Sequence, residues 1–316
     1  MYKALIIGCG NIGAMYDLNN ESVSTYAKAF HLDPEIEFDV YDIDTKISSV
    51  IAKHYGVNCL YELGSTTYLK YDLIVISTST STHYEYLSKI LPLDLRLVIC
   101  EKPVDIEIDR LEHLIKLYNE SKTKVMVNFF RRFLPKNISL KQHLQTLLTE
   151  DPCTNIIVTY QRGFHNNASH AIDLLEFLFE TNINLSLAQL NHKEFDEFIS
   201  DPTMSVSCDW NGVNLQFIGL SNVKFSHFEI AIYTGHKAVL LKNGGNEIEL
   251  LVTSQTCGKF YPQLFSQTML IGVNENYMIN VVSNAKSILN GNKFYDNFVE
   301  SVSISKRILQ LQKINL

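Results

Sequence analysis

The feature that most constrains the fold is a glycine-rich turn near the start of the chain. An apolar run, ALII, leads directly into GCGNIG, which places Gly8, Gly10 and Gly13 at the spacing G-x-G-x-x-G before a helical pattern. In such a unit the first glycine permits a tight turn, the second lets a pyrophosphate approach the backbone, and the third lets the helix pack against the strand. This context predicts a dinucleotide-binding βαβ unit, with the N–H groups of Asn11 and Ile12 at the phosphates. A glycine turn without a ligand is the alternative.

The second element expected of this unit is an acidic residue at the end of the next strand. The segment EIEFDVYDIDTK supplies Asp42 and Asp44. A carboxylate here accepts hydrogen bonds from the adenosine ribose hydroxyls and repels a 2′-phosphate, so it favours NAD over NADP. We favour Asp42 by its position and keep Asp44 as the alternative. Asp42 follows Gly13 by more than the usual distance of about 20 residues, and the polar segment DLNNESVS at 17–24 is interpreted as an insertion that accounts for the excess.

Strands and helices alternate through the first 128 residues. Apolar runs such as YDLIVIST and RLVIC are typical of strands buried on both faces, and helical segments such as EIDRLEHLIKLYNES separate them. The alternation predicts an α/β fold, a Rossmann domain with a doubly wound parallel sheet. Ligands of such sheets bind beyond the carboxyl ends of the strands. We therefore expect cofactor contacts from Ser77, Thr78, Thr80 and His83, although His83 also fits a helix-packing role.

The length of the chain favours two domains, because single cores rarely exceed roughly 250–300 residues. We place a dinucleotide-binding domain at 1–128 and a substrate-binding and oligomerisation domain at 129–316. The second part opens with a helix and a strand pattern, NISLKQHLQTLLTE and NIIVTYQRG, and continues in β-rich segments separated by turns. These segments are MSVSCDWNG, VNLQFIG, KFSHFEIAIYTG, HKAVLLKNGG, EIELLVT and YMINVVSNA. They predict an α+β domain with a large, open, mainly antiparallel sheet, and KFYDNFVESVSISKRILQL predicts a closing helix.

The composition excludes several classes of protein. A net charge of -7 leaves no basic face to neutralise phosphates, so we expect no nucleic-acid partner. No apolar run is long enough to span a membrane, and the N-terminus lacks a signal-peptide pattern. The six cysteines have no CxxC spacing, so we expect free thiols and no metal site. These features predict a cytoplasmic globular protein.

The motif Glu-Lys-Pro at 101–103 follows a predicted strand in a chain that begins with GCGNIG. With the VYDID strand end, the ST-x(4)-H segment ending in His83, VNFFRRF, and S-H-x-x-D at 169–173, the order of motifs resembles the Gfo/Idh/MocA family. Those are two-domain, dinucleotide-dependent enzymes that act mainly on sugars, cyclitols and nucleotide sugars. The motifs cover most of the first 180 residues, and the rest is similar by layout. The resemblance implies an NAD(P)-dependent oxidoreductase that forms a homodimer or homotetramer through its C-terminal sheet.

Lys102 is the first candidate catalytic residue. A lysine in the turn after a parallel strand projects into the crevice where nicotinamide lies, and its ammonium can stabilise the alkoxide that forms as hydride leaves. Pro103 restricts the direction in which this lysine points. The resemblance implies the same role for Lys102 and places Glu101 at the nicotinamide ribose. Without the surrounding motifs, a solvated loop lysine would be the simpler interpretation.

The stretch HNNASHAIDLLEFLF at 165–179 changes from polar to apolar at His170. Asp173 is three residues further on, and hence on the same face of the predicted helix. It can orient one imidazole nitrogen so that the other accepts a hydroxyl proton. The family usually has an aspartate where this chain has Asn166, whose amide orients a hydroxyl but cannot take its proton. The alternative is a helix start capped by Asn167 or Ser169, with His170 on the surface.

Three arginines are candidate contacts for an anionic group on the substrate. Arg131 and Arg132 lie in VNFFRRF, and guanidinium groups bind carboxylate or phosphate through two parallel hydrogen bonds. Ordinary surface ion pairs are the alternative for these two. Arg162 precedes the HNNASH stretch and completes the set. The predicted substrate-binding residues are therefore Arg131, Arg132, Arg162, Lys102, Asn166 and His170.

Together these residues predict NAD(H)-dependent oxidation of a sugar or nucleotide-sugar hydroxyl, or the reverse reduction. Lys102 and His170 would carry the proton chemistry, with Asn166 and Asp173 beside them. The main alternative is a dinucleotide-binding regulator or scaffold without activity, because Asn166 stands where the family usually has an acid. Reduction of a non-sugar, such as an imine or a tetrapyrrole, is a third hypothesis.

Overall fold

The structure is a computed structural model that describes residues 1–254, 262–292 and 296–314. The chain divides into two compact units. The first unit consists of Met1–Phe133 and Asn276–Lys306, and the second unit of Leu134–Glu275 and Arg307–Leu316. The assignment of one part to the cofactor and the other to substrate and oligomer contacts stays a prediction.

The first unit contains a five-stranded parallel sheet in the order β2-β1-β3-β4-β5. Three of its strands, β1, β3 and β4, are buried along all or most of their length, which is expected where helices cover both faces. The predicted Rossmann sheet is therefore confirmed. Its strands are β1 (Tyr2–Ile7), β2 (Ile36–Tyr41), β3 (Leu73–Ile76), β4 (Leu97–Cys100) and β5 (Lys124–Val127), and its first helices are α1 (Tyr26–Leu32), α2 (Thr45–Tyr55), α3 (Ser65–Tyr68), α4 (Thr80–Ile90) and α5 (Ile108–Glu120).

The second unit is built on an eight-stranded sheet in the order β13-β12-β11-β10-β6-β9-β8-β7. All neighbouring strands are antiparallel except β6 and β9, which run parallel, so the predicted open and mainly antiparallel sheet is confirmed. Its elements are α6 (Pro135–Glu150), β6 (Cys153–Tyr160), α7 (Ser169–Phe179), β7 (Gln189–Glu194), β8 (Thr203–Trp210), β9 (Val213–Gly219), β10 (Phe228–Thr234), β11 (Lys237–Lys242), β12 (Glu247–Thr253) and β13 (Leu264–Ile271).

The prediction of a strand at YMINVVSNA is wrong, because this segment begins helix α8 (Tyr277–Leu289) of the first unit. Its buried side chains are Met278, Val281, Val282, Ala285, Ile288 and Leu289. They recur at intervals of three and four residues, which places them on one face of a helix. That face joins the core formed by α1 and the parallel sheet. Packing of this apolar stripe outweighs the strand preference of the β-branched residues.

The edge of the parallel sheet at β5 is covered by a side chain. The Asn297 side-chain oxygen accepts a hydrogen bond from the Val127 N–H at 2.8 Å, and its Nδ2 donates to the Val127 carbonyl at 2.9 Å. The amide thus replaces a neighbouring strand and satisfies backbone groups that an open edge would expose. The last helix, α9 (Phe298–Ile314), follows and contributes residues to both units, as predicted for a closing helix.

In the described ranges, no helix is both long and apolar enough to cross a membrane. The five described cysteines, Cys9, Cys59, Cys100, Cys153 and Cys208, are free thiols. Cys257 lies outside the described residues.

Candidate functional site

A cleft of about 460 Å³ opens beyond the carboxyl ends of β1, β2 and β3. Its size lies within the range of about 300–1,000 Å³ that is typical of ligand pockets. Of the predicted cofactor residues, the cleft is lined by Gly8, Gly10, Asn11, Ile12, Asp42, Ser77 and Thr78. Sequence reasoning missed Tyr16, Tyr41, Ile43, Ser79, Thr82 and Tyr86, which also line it. Thr82 and Tyr86 are four residues apart in α4, so helical periodicity was the available signal for these two.

The three glycines of the turn have different surroundings. Gly8 has φ +98°, and a Cβ there would lie 2.8 Å from the backbone of Ser77. A Cβ on Gly13 would lie 2.0 Å from the Gly8 carbonyl oxygen. These two positions are closed to any side chain by the fold itself. A Cβ on Gly10 would meet no protein atom within 4 Å, so the space beside it is open to a ligand.

The helix after the glycine turn is interrupted. A π-helical turn covers Asn11–Met15, and α1 begins only at Tyr26, where the Thr25 side chain caps it. The segment 17–24 lies between them as a loop closed by Asp17. The Asp17 carboxylate accepts hydrogen bonds from the N–H groups of Ser24 at 2.6 Å and Thr25 at 2.8 Å. The insertion interpreted from the sequence therefore has a self-contained structure beside the cleft.

The hydrogen bonds of Asp42 and Asp44 distinguish the roles of these two carboxylates. The Asp42 carboxylate accepts hydrogen bonds from the N–H of Cys9 at 2.7 Å and from the N–H of Asp44 at 2.9 Å. It is thus anchored to the glycine turn while it lines the cleft. Asp44 instead caps α2 by accepting a hydrogen bond from the Lys46 N–H at 2.9 Å. Of the two candidates for a ribose contact, the geometry favours Asp42.

His83 connects two strand ends and is almost completely buried. Its Nδ1 lies 3.0 Å from the Pro103 carbonyl oxygen and its Nε2 lies 3.0 Å from the Thr78 carbonyl oxygen. Burial lowers the pKa of this imidazole. Neither His83 nor Thr80 is among the described residues that line the cleft. This arrangement favours the packing role for His83, which holds the turn after β4 against the loop after β3.

The Glu-Lys-Pro turn follows β4, and the Glu101 carboxylate points into the protein. Its Oε1 accepts hydrogen bonds from the Tyr26 hydroxyl at 2.8 Å and from the Asn128 Nδ2 at 2.7 Å. The pKa of Glu101 is raised, because burial of the carboxylate outweighs the lowering effect of these hydrogen bonds and of the neighbouring Lys102 ammonium. The predicted contact of Glu101 with a ribose stays a prediction. Lys102 is half-buried in the turn beyond the carboxyl end of β4.

The two arginines of VNFFRRF are buried in the first unit. Arg131 stacks its guanidinium 4.5 Å from the centre of the Phe130 ring. The Arg132 Nη1 lies 3.4 Å from the Glu300 Oε2. Only 8% of Arg131 and 4% of Arg132 is exposed, so the surface position of the alternative interpretation is wrong, although Arg132 does form an ion pair. Their role as anion contacts stays a prediction.

The HNNASH stretch, in the second unit, is preceded by a sharp turn. Arg162 has φ 68° and Gly163 has φ 81°, both in the left-handed region. A π-helical turn then covers Phe164–Ala168 and continues into α7. The Arg162 side chain is half exposed and lies 3.2 Å from the Glu197 carboxylate. The Asn166 Nδ2 donates a hydrogen bond to the Arg162 carbonyl at 3.1 Å.

His170 and Asp173 lie in the first turns of α7 and are both buried, with 9% and 0% exposed. The alternative interpretation, which places His170 on the surface, is therefore wrong on this point. The predicted caps are also wrong, since α7 has no side-chain cap and Asn167 instead donates to the Gln161 carbonyl at 2.7 Å. A continuous π–α segment removes the helix start that Asn167 or Ser169 would have capped.

Residues 2–129 match the model of an oxidoreductase family with an NAD-binding Rossmann fold. An inositol 2-dehydrogenase from Rhizobium meliloti (strain 1021) is 27% identical over 120 residues, which cover 34% of this chain and 36% of that protein. The similarity thus spans about a third of the length of this relative.

Solved structures match along nearly the whole chain. A Gfo/Idh/MocA family oxidoreductase from Vibrio cholerae has a TM-score of 0.72 at 16% identity and covers 100% of this chain and 98% of its own. A 3-ketoreductase from Actinomadura kijaniata, in complex with NADP and TDP-benzene, has a TM-score of 0.72 at 11% identity and covers 96% of this chain and 94% of its own. At these identities the likeness establishes the two-part fold and no more.

Proposed function

We propose that this protein is an NAD(H)-dependent oxidoreductase of a sugar or nucleotide-sugar hydroxyl or ketone, since residues 2–129 match the model of the Gfo/Idh/MocA oxidoreductase family. The observation that carries the proposal is the cleft at the strand ends. There the space beside the Gly10 backbone contains no protein atom, and the Asp42 carboxylate is held at the lining of the cleft. The inositol 2-dehydrogenase supports the polyol substrate class, and the TDP-benzene bound in the 3-ketoreductase structure supports a nucleoside-diphosphate substituent.

The residues present fit a dinucleotide. The turn excludes side chains at Gly8 and Gly13 and leaves the space at Gly10 empty of protein, which suits a pyrophosphate lying against the backbone. The Asp42 carboxylate suits ribose hydroxyl groups, because it has lone pairs beyond those that accept the two backbone N–H groups. When bound, NAD supplies the hydride acceptor or donor.

Each candidate catalytic residue has a role that its chemistry allows. We propose that the Lys102 ammonium hydrogen-bonds the reacting oxygen and stabilises negative charge on it. His170 accepts the hydroxyl proton during oxidation and returns it during reduction, with Asp173 orienting the imidazole. The side chain of Asn166 orients the substrate by hydrogen bonding. Arg131, Arg132 and Arg162 are proposed contacts for an anionic substituent such as a diphosphate.

Gly10→Ala tests the cofactor site. The backbone at Gly10 has φ -69° and is extended, and a Cβ there meets no protein atom, so the variant is expected to fold with an unchanged melting temperature. The Cβ would occupy the space proposed for pyrophosphate and lower NAD affinity at least about tenfold, equivalent to about 1.4 kcal/mol. Calorimetric titration with NAD measures this change.

Gly64→Ala is the matched control, because Gly64 also has nothing within 4 Å of a Cβ but lies at the start of α3, away from the lining of the cleft. Its NAD affinity should equal that of the unchanged protein. Equal affinities for all three proteins would contradict the cofactor site, and no NAD or NADP binding at all would contradict the function.

Asp42→Ala tests cofactor choice. Loss of the carboxylate removes charge-assisted hydrogen bonds of about 1.5–3 kcal/mol and the repulsion of a 2′-phosphate. The ratio of NAD to NADP affinity is therefore expected to fall about tenfold or more, as measured by titration with each dinucleotide. Asp44→Ala, which removes only the α2 cap, should lower the melting temperature while the ratio stays constant. A ratio that responds to Asp44 and not to Asp42 would reverse the assignment.

The regulator or scaffold without activity remains the second candidate, and the observation that favours it is Asn166 in place of the family's acid. Both candidates predict NAD binding. They differ when myo-inositol and nucleotide sugars are added to the NAD complex, since only the enzyme changes the nicotinamide absorbance.

A further inference from the structure

Four consecutive backbone N–H groups, from residue 163 to residue 166, donate hydrogen bonds to three consecutive residues. These acceptors are the last two residues of the loop 195–202, which connects β7 to β8, and the first residue of β8. The Gly163 N–H donates to the Thr203 hydroxyl at 3.0 Å and the Phe164 N–H to the Pro202 carbonyl at 2.9 Å. All of these groups lie in the second unit.

Asp201 provides the other half of this contact. Its Oδ1 accepts a hydrogen bond from the His165 N–H at 2.8 Å, and its Oδ2 accepts one from the Asn166 N–H at 2.7 Å. A Cβ on Gly163 would lie 2.2 Å from the Asp201 Oδ2, so the carboxylate sits directly against the turn. The Gln312 Nε2, on the C-terminal helix α9, donates a hydrogen bond to Oδ1 at 3.2 Å and also holds the carboxylate.

The first N–H groups of a helix have no partner within the helix and need an acceptor from elsewhere. Here neither Gly163 nor Ala168 offers a side-chain cap to the π-helical turn or to α7. A carboxylate at this place satisfies two donors with charge-assisted hydrogen bonds and complements the positive end of the helix dipole. Asp201 therefore does from a distant loop what a local N-cap residue does elsewhere.

We propose that Asp201 is a positioning residue of the candidate active site: it fixes the 163–166 turn and so sets the directions of Asn166 and His170. This inference rests on the proposed function, because it gives these two side chains their task. Asn166 is held through its own N–H, and His170 follows four residues later on the same continuous helix. The left-handed backbone at Arg162, which is unfavourable for a residue with a side chain, is stabilised by these hydrogen bonds on the following residues.

Asp201→Asn and Asp201→Ala test the proposal. Asparagine keeps one acceptor oxygen and turns an amide donor toward the second N–H, whereas alanine removes both acceptors. Asp151→Asn is the matched control in the same unit. Its carboxylate also accepts two backbone N–H hydrogen bonds, from Gly235 at 2.9 Å and His236 at 3.0 Å, at a turn that carries no candidate site residue.

The first readout needs no substrate. Amide hydrogen exchange of 163–166 is expected to become about tenfold faster or more in Asp201→Asn, and the His170 imidazole NMR signal is expected to shift or broaden. Asp201→Ala should exceed Asp201→Asn in both respects. The control should leave both readouts unchanged. Unchanged exchange and an unchanged His170 signal in both Asp201 variants would overturn the proposal.

The second readout is turnover of myo-inositol with NAD. A positioning role predicts that kcat falls about tenfold or more in Asp201→Asn and further in Asp201→Ala, while the KM for NAD stays constant. A merely structural role would lower the melting temperature and the folded fraction and leave kcat per folded molecule unchanged, which would also overturn the proposal. Absence of turnover in the unchanged protein counts against the proposed function, and the exchange and NMR measurements then decide on Asp201 by themselves.

Discussion

Replacement of Lys102 by methionine is expected to lower kcat by about 10²–10⁴-fold with little change in NAD affinity. Methionine keeps most of the length of the stem but removes the ammonium, which we propose stabilises negative charge on the reacting oxygen. Lys102 stands in the turn beyond the carboxyl end of β4, next to the strand whose end lines the cofactor cleft. The measurement is steady-state turnover together with calorimetric titration of NAD.

Two further variants sharpen this experiment. Lys70→Met removes an exposed lysine of the same unit and should leave kcat unchanged. Lys102→Arg keeps the positive charge but cannot release a proton, since a guanidinium stays charged in proteins. Partial activity in Lys102→Arg indicates electrostatic stabilisation, whereas a loss as deep as in Lys102→Met indicates that the lysine transfers the proton. Full turnover in Lys102→Met would remove this residue from the mechanism.

Replacement of Arg307 by methionine is expected to destabilise the second unit by about 3–5 kcal/mol. The Arg307 guanidinium binds the Glu176 carboxylate through two parallel hydrogen bonds, at 2.5 Å and 3.0 Å. Glu176 lies on α7 and also accepts the Ile183 N–H at 2.7 Å, and its side chain is only 6% exposed. Loss of the guanidinium leaves this carboxylate buried without its cation, which costs far more than loss of a surface ion pair.

Lys306→Met is the adjacent control for this prediction. Lys306 pairs with Glu112 at 2.8 Å on an exposed surface, where both side chains remain 31% and 52% accessible. We expect its loss to change stability far less than the loss of the buried pair, because solvent screens the two charges. Urea unfolding followed by circular dichroism measures both variants, and equal effects of Arg307→Met and Lys306→Met would contradict the special role of the buried pair.

The parallel sheet was predictable because its signals are local. Buried apolar runs, the glycine spacing and the alternation with helices each depend on residues close in sequence. The glycine turn could be assigned in advance because Gly8 and Gly13 are required by backbone contacts within the turn and with the next strand. Asp42 could be ranked above Asp44 by position, and its hydrogen bond with the Cys9 N–H supplies the physical reason.

Helix α8 was not predictable from strand propensity. Its segment is rich in β-branched and apolar residues, and their local preference favours a strand. The choice between periods of two and 3.6 is made by the surface on which the segment packs, and here that surface belongs to the first unit, about 250 residues earlier in the chain. The same reason explains Asn297, whose amide completes the edge of β5 from far along the sequence.

For the candidate site, the sequence alone determined which chemical groups are available: a glycine turn, an acid at a strand end, Lys102 after β4, and His170 with Asp173 on one helix face. The tertiary structure decided how they are held. The Glu101 carboxylate is buried against Tyr26 and Asn128. The ring nitrogens of His83 lie beside two backbone carbonyl groups. Asp201 binds the backbone at the start of the HNNASH stretch. Local patterns record the conformation that a segment prefers, whereas a partner 35 residues away, such as Asp201 for Asn166, is brought into contact only by the packing of the whole sheet.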